Sequence, residues 1–374
     1  MNELIAADAL VTGDGSPAGP GWVELAGGRV TGAGTGIPPR PPDRRGAVVV
    51  PGFVDVHCHG GGGASFGADA DSSARAAAFH AAHGTTTVLA SLVTLSPPDL
   101  LEAVRGLAPL VDDGVLAGVH LEGPWLAASR CGAHDPALLR DPDPGELGPL
   151  LDTGTVAMVT LAPELAGGLD AIARVAAAGA VAAVGHTAAG YDLTRRALDA
   201  GARAGTHLFN AMGSLHHRDP GPVAALLGDP RAVVELITDG VHVHPALWEI
   251  VGRTAPGRVA AVTDAMAAAG MPDGDFRLGD LAVRVTGGVA RLDGGTIAGS
   301  TATADALFRN LVAADPGPRE EALARAVAWT STTPAGLLGL DDVGHLRPGA
   351  RADVVLLDDA LRIETVLRAG TVVR

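Results

Sequence analysis

The sequence predicts an α/β protein: a (β/α)8 TIM barrel with a small β-sandwich domain built from both chain ends. Three observations lead there. Eight short apolar runs, at 52–56, 86–92, 115–121, 156–161, 181–184, 204–208, 233–237 and 259–262, alternate with Ala-rich helical segments such as 72–83 and 193–202. Continuous apolar runs suit strands buried on both faces, and eight β/α units close into a barrel of ordinary size. Residues 1–50 and 345–374 read differently, as short apolar segments (3–11, 22–25, 29–31 and 48–50, then 352–357 and 365–373) broken by turn residues. Such segments are strands of a small β-domain. The two ends are expected to pair into one sheet, leaving 51–344 for the barrel. A hairpin inserted after the eighth strand is expected over 276–297, with turns at Gly287-Gly288 and Gly294-Gly295.

Composition narrows the chemistry. The chain has 374 residues, and its 27 Lys+Arg are all arginine. Without lysine there is no Schiff-base enzyme, no P-loop of the GxxxxGK[ST] form, no kinase ATP lysine and no carboxylated lysine between two metals. A net charge of -15 excludes nucleic acid and anionic membrane as main partners, because both demand a basic face. The opening MNELIAADALVTGDG lacks a basic region and a long apolar core, so a cytoplasmic, soluble protein is expected. Cys58 and Cys131 are too few for a disulfide framework.

A barrel carries its site where the strands end, so the residue after each run matters most. His57 and His59 close the first run, two apart on a strand, so both imidazoles point one way and Cys58 the other. They are either two ligands of one metal or a satisfied pair of core or surface histidines. Glu122 closes the third run before Gly123-Pro124-Trp125, as a metal ligand or as the cap of a loop. With lysine absent, it is the bridging carboxylate if two metals bind. His186 and His207 close the fifth and sixth runs, and with Glu122 they make a His2Glu set with room for water, the pattern of catalytic zinc. Asp264 follows the eighth run as a general base, with helix capping over 265–269 as the plainer alternative. His80, His83, His216, His217, His244 and His345 read as surface or loop residues.

The opening string PGFVDVHCHG resembles the first strand of the amidohydrolase superfamily. HLEGPW at 120–125, GAH at 132–134, GHTAAGYD at 185–192, THLFNAM at 206–212, DGVHVHP at 239–245, VTDAM at 262–266 and IAGS at 297–300 together resemble the N-acetylglucosamine-6-phosphate deacetylase family. That resemblance implies metal-dependent hydrolysis of N-acetylglucosamine 6-phosphate to glucosamine 6-phosphate and acetate, in amino-sugar catabolism and cell-wall sugar recycling. It also implies Glu122, His186 and His207 as the main ligands of a divalent metal, zinc foremost with iron, manganese or cobalt as alternatives. A second ion at His57 and His59, bridged by Glu122, would make two per subunit. Asp264 becomes the catalytic acid/base, and His134 polarises the acetyl carbonyl. Ala133, Asn210, Ala211 and the backbone of Ile297, Ala298 and Gly299 line the sugar pocket, and Arg218 and His242 take the phosphate. A homodimer is expected, with His242 reaching the neighbouring site. The same motifs would serve a deacetylase for the galactosamine epimer.

Overall fold

The computed structural model describes residues 2–374. Its largest sheet has eight strands: Phe53–Asp55, Thr85–Leu92, Gly118–Glu122, Val156–Leu161, Val181–Val184, Ala204–Gly205, Val233–Leu236 and Val259–Ala261, adjacent in chain order. Each matches one of the eight apolar runs. All eight residues of Thr85–Leu92 are buried, as expected of a strand covered on both faces. Past its last strand the chain closes the barrel onto its first. Asp264 N–H donates to the His57 carbonyl at 2.9 Å, His59 N–H to the Ala265 carbonyl at 2.7 Å, and Cys58 pairs with Ala265 in parallel.

Several helices between the strands begin by one local rule. Ser96, Asp143 and His244 each accept a hydrogen bond from a first-turn N–H, and Pro97, Pro144 and Pro245 follow. A side-chain acceptor satisfies an orphan donor, and proline at the first helical position has no N–H to satisfy. The expected helices at 72–83 and 193–202 are Ala70–Ala82 and Tyr191–Asp199. His80 is a correction: it lies fully buried in the last turn of the first of these helices, because it falls on the helix's inward face.

The chain ends share one seven-stranded sheet. Its middle is Val354–Leu357 pairing antiparallel with Arg44–Pro51, which runs parallel to Asn2–Leu10. Ile5, Val23, Leu25, Val49, Val354 and Leu367 form its core. After the barrel, 274–291 makes three antiparallel strands rather than one hairpin, Gly274–Leu278, Leu281–Thr286 and Val289–Arg291. The additional turn, at Gly279-Asp280, has Gly279 at φ 53. Gly287 and Gly288, at φ 59 and 76, make the expected turn, a tight left-handed one that side-chain-bearing residues resist.

By compactness the chain divides into two units. One gathers the chain up to Asp55, Ala78–Thr87 and Thr303–Arg374; the other is Val56–Ala77 with Val88–Ala302. Every candidate site residue lies in the second.

Candidate metal centre and active site

Glu122 ends the third barrel strand and is buried, and its two oxygens face different histidines. Oε1 lies 2.9 Å from His207 Nε2, 3.0 Å from His186 Nε2 and 3.4 Å from His57 Nε2. Oε2 lies 3.1 Å from His59 Nε2 and 3.2 Å from His134 Nε2. Asp264 Oδ1 stands 3.2 Å from His59 Nε2 and 3.5 Å from His57 Nε2. Barrel closure thus brings seven residues from separate loops and strand ends into one buried cluster. Asp264 caps no helix; the chain after it instead pairs with Cys58 and Ser300.

Three of these residues hold strained backbone: φ is 47 at His186, 26 at His207 and 47 at Asp264. That left-handed region is costly for residues with a side chain, and such strain collects at functional sites. Here it turns each side chain inward directly beyond its strand.

The donor set fits a cation. Ligand atoms of His57, His59 and Asp264 lie within 4.8 Å of one another, as do those of Glu122, His186 and His207. Facing Nε2 atoms are 3.2 Å apart in the first group and 3.0 Å apart in the second. Two bare imidazole nitrogens repel at that distance, so each group needs a proton or a metal ion between its donors. Imidazole and carboxylate together suit zinc, iron, manganese or cobalt.

The outer ring nitrogens sort the histidines by role. His57 Nδ1 faces Glu235 Oε2 at 3.0 Å, His59 Nδ1 the Ser91 carbonyl at 3.1 Å and His186 Nδ1 the Arg130 carbonyl at 2.8 Å. Each partner only accepts, so these Nδ1 atoms carry the hydrogen, and Nε2 turns inward with its lone pair toward the cluster. His134 is the opposite case. Its Nδ1 accepts from the Thr94 N–H at 3.3 Å and meets Thr94 Oγ1 at 2.9 Å, so Nε2 bears the hydrogen and faces the cluster as a donor.

Charge follows the same layout. Burial alone would raise Glu122, but His57, His134 and His186 hold it well below the usual carboxylate range. Burial likewise opposes protonation of His57 and His59, yet Glu122 and Asp264 raise both, with Glu235 adding to His57 and His59 reaching about 9. His186 goes the other way, lowered by burial to about 4 in spite of Glu122. A metal must therefore displace protons from the first group, whereas His186 in the second is already neutral. Between about pH 6 and pH 8, metal affinity of the His57/His59/Asp264 group is expected to rise at least about tenfold per pH unit, with a far weaker dependence for the Glu122/His186/His207 group. Chelator competition against pH reads both; equal slopes would contradict the assignment.

The expected substrate residues are placed unevenly. Gly299, at φ 64, packs so closely on Asp264 that a Cβ would meet the Asp264 carbonyl at 2.9 Å. Ser300 N–H donates to that same carbonyl at 2.6 Å, so 297–300 runs beside the candidate base. Ala298 and the neighbouring Ala133 belong to the apolar cluster under the three-stranded insert. Asn210 Nδ2 donates to the His207 carbonyl at 3.2 Å, and the Ala211 carbonyl accepts from Thr187 N–H at 3.1 Å. His242 Nδ1 pairs with Asp239 at 2.7 Å; burial lowers its pKa, but Asp239 and then Asp264 raise it. Arg218 is exposed, its guanidinium donating to His217 Nε2 at 2.8 Å rather than to any residue of the cluster. Cys131 is half-buried; its Sγ lies 3.8 Å from the Gly132 carbonyl.

Three residues that hold the cluster escaped sequence reasoning: Glu235, Ser91 and Thr94. His120, legible only as part of a strand end, lies fully buried between Ser91 Oγ at 2.9 Å and Thr160 Oγ1 at 2.8 Å. Burial and the neighbouring His57 hold it well below the usual histidine range, so it is neutral. A signal did exist for Glu235. It is a lone carboxylate in the apolar run VVELI, where a buried strand has no ordinary use for a charge.

A parallel eight-stranded barrel with imidazoles and carboxylates gathered at its C-terminal strand ends defines a metal-dependent barrel hydrolase. The chain belongs to the Amidohydrolase family, whose model matches residues 48–373. It is 39% identical over 342 residues to N-acetylgalactosamine-6-phosphate deacetylase of Escherichia coli O157:H7, covering 89% of this chain and 90% of that one. Human N-acetylglucosamine-6-phosphate deacetylase is 37% identical over 350 residues, covering 88% of this chain and 84% of the relative. Among solved structures, a mutant N-acetyl-D-glucosamine-6-phosphate deacetylase from Mycobacterium smegmatis, in complex with N-acetyl-D-glucosamine-6-phosphate, superposes with a TM-score of 0.97 at 54% identity. That match covers 100% of this chain and 99% of the other. The Thermotoga maritima N-acetylglucosamine-6-phosphate deacetylase gives 0.90 at 31% identity, covering 99% of each chain.

Proposed function

We infer that this chain hydrolyses N-acetylglucosamine 6-phosphate to glucosamine 6-phosphate and acetate. One observation carries the chemistry: ring nitrogens able to ligate a metal and one ring donor (His134) converge on Glu122, with a buried carboxylate (Asp264) against two of the same histidines. Substrate identity is supported by the likeness to the Mycobacterium smegmatis deacetylase along the whole chain.

The residues divide the work. Glu122, His186 and His207 would hold a divalent ion, zinc by preference, and His57 and His59 with Asp264 would hold a second, with Glu122 placed between the two groups. When bound, the metal polarises the acetyl carbonyl and acidifies water. Asp264 accepts the proton of the attacking water as the new C–O bond forms. His134 donates its Nε2–H to the carbonyl oxygen as negative charge gathers there. The C–N bond then breaks, and Asp264 returns the proton to the departing amine. Asn210, Ala211, Ala133 and the 297–299 backbone orient the sugar, while Arg218 and His242 take the phosphate.

Arg218→Ala is expected to raise the KM for the phosphorylated sugar about tenfold or more and to leave that for the unphosphorylated sugar near the parent value. An arginine fork to phosphate is a charge-assisted bond of about 1.5–3 kcal/mol. Equal shifts for both sugars would return Arg218 to an ordinary surface charge.

The reading extends to a cytoplasmic homodimer, with His242 serving the neighbouring site and 51–344 acting as the hydrolase domain. Among the described residues, no helix is long and apolar enough to cross a membrane. Acetate release from N-acetylglucosamine 6-phosphate, with metal content measured on the same sample, tests the function. The galactosamine epimer belongs in the parallel assay, because the relative from Escherichia coli O157:H7 is a deacetylase of that sugar phosphate. Preference for the epimer would replace the substrate and keep the chemistry.

A further inference from the structure

We propose that Glu235 is a positioning residue that sets the geometry of both ligand groups at once, orienting the His57 ring and fixing the His207 backbone. The inference rests on the metal-binding reading above.

Glu235 sits in the seventh barrel strand, Val233–Leu236, and is completely buried. Its Oε2 faces His57 Nδ1 at 3.0 Å and accepts the His207 backbone N–H at 3.1 Å. Its own backbone carbonyl accepts from Leu208 N–H at 2.8 Å, which ties the residue after His207 to the same strand. His57 belongs to one ligand group and His207 to the other. One carboxylate oxygen therefore spans both.

Two features separate this contact from ordinary packing. Neighbours Val234, Leu236 and Ile237 are buried and apolar, and an apolar residue at 235 would avoid placing a charge in the barrel wall. His207 also depends on it. Its backbone is strained at φ 26, and its Nδ1 has no partner, so no ring contact on the outer side fixes its direction. His59 and His186 are steered by neutral carbonyls; His57 alone of these three is steered by a carboxylate. A carboxylate behind the ring makes Nε2 the better electron donor as well as orienting it, and loss of such a partner typically weakens metal binding about ten- to hundredfold.

The test uses the full chain with 15N-labelled histidine, as parent, Glu235→Gln, Glu235→Leu and the same substitutions on a His57→Asn background. Glutamine keeps an oxygen acceptor and loses the charge; leucine loses both. In the parent, an exchange-protected His57 Nδ1–H resonance and a slowly exchanging His207 amide are expected. Both disappear in Glu235→Leu and persist in Glu235→Gln. Zinc titration should show affinity at the His57/His59/Asp264 group falling about ten- to hundredfold in Glu235→Leu and several-fold in Glu235→Gln. On the His57→Asn background the Glu235→Gln effect on affinity should vanish, which a merely structural role would not produce. If Glu235→Leu fails to fold, Glu235→Gln and its His57→Asn pair decide. Retention of the ring resonance in Glu235→Leu, or unchanged zinc affinity in both variants, overturns the proposal. A parent that binds no zinc overturns the metal reading instead, and the two hydrogen-exchange signals then decide the positioning role alone.

Discussion

Asp264→Asn is expected to bind metal at the Glu122, His186 and His207 group like the parent and to lose about a thousandfold or more in kcat. In the proposed reaction both proton transfers pass through this one carboxylate, and asparagine, nearly identical in shape, can accept no proton. The structure prepares Asp264 for that work. Burial would raise its pKa, yet His57 and His59 beside it hold it below the usual carboxylate range, so it is ionised and ready to accept at neutral pH. Its backbone is pinned by the His57 carbonyl and by Ser300 N–H, contacts that the substitution leaves in place. Acetate release with metal analysis on the same preparation separates lost chemistry from lost metal. Turnover within about tenfold of the parent would remove Asp264 from the proton path.

Glu122→Gln is expected to fail more broadly. Its two oxygens meet five histidine nitrogens, three at Oε1 and two at Oε2. Glutamine replaces one oxygen with a donor and removes the negative charge that supports the cationic His57 and His59. Leaving buried charges without their partner costs about 3–5 kcal/mol. Metal content should fall at both groups, turnover should drop below detection, and the metal-free protein should denature at a markedly lower temperature than the parent. The sign with pH follows from both partners: the stability lost with Glu122 is fully present between the ordinary glutamate and histidine pKa values, fades as pH rises through the His59 value of about 9, and is lost as pH falls through the depressed pKa of Glu122. Parent-like metal content together with parent-like stability would show that Glu122 is no shared ligand.

Much of the architecture was legible because barrel strands advertise themselves. VVELI, VAMVTL and TTTVLASL need no partner to be read as buried strands, and each ends at or near a polar residue. The three-stranded insert was only half legible. Gly287-Gly288 announces a turn, whereas Gly279-Asp280 is a weaker sign amid 52 glycines. His80 shows the limit of reading histidines one at a time: the same residue type fits a helix surface or a helix core, and packing decides.

The sequence by itself determined which residue types stand at the strand ends, and that any bridge between two metals must be a carboxylate, because no lysine is present. Those facts need only strand periodicity and composition. Tertiary structure alone decided which nitrogen of each imidazole turns inward. That choice depends on the group behind the ring: Glu235 lies 178 residues from His57, Ser91 32 from His59, Thr94 40 from His134 and the Arg130 carbonyl 56 from His186. An imidazole presents a donor on one side and an acceptor on the other, so its role is fixed only when a partner arrives, and barrel closure is what brings these partners in.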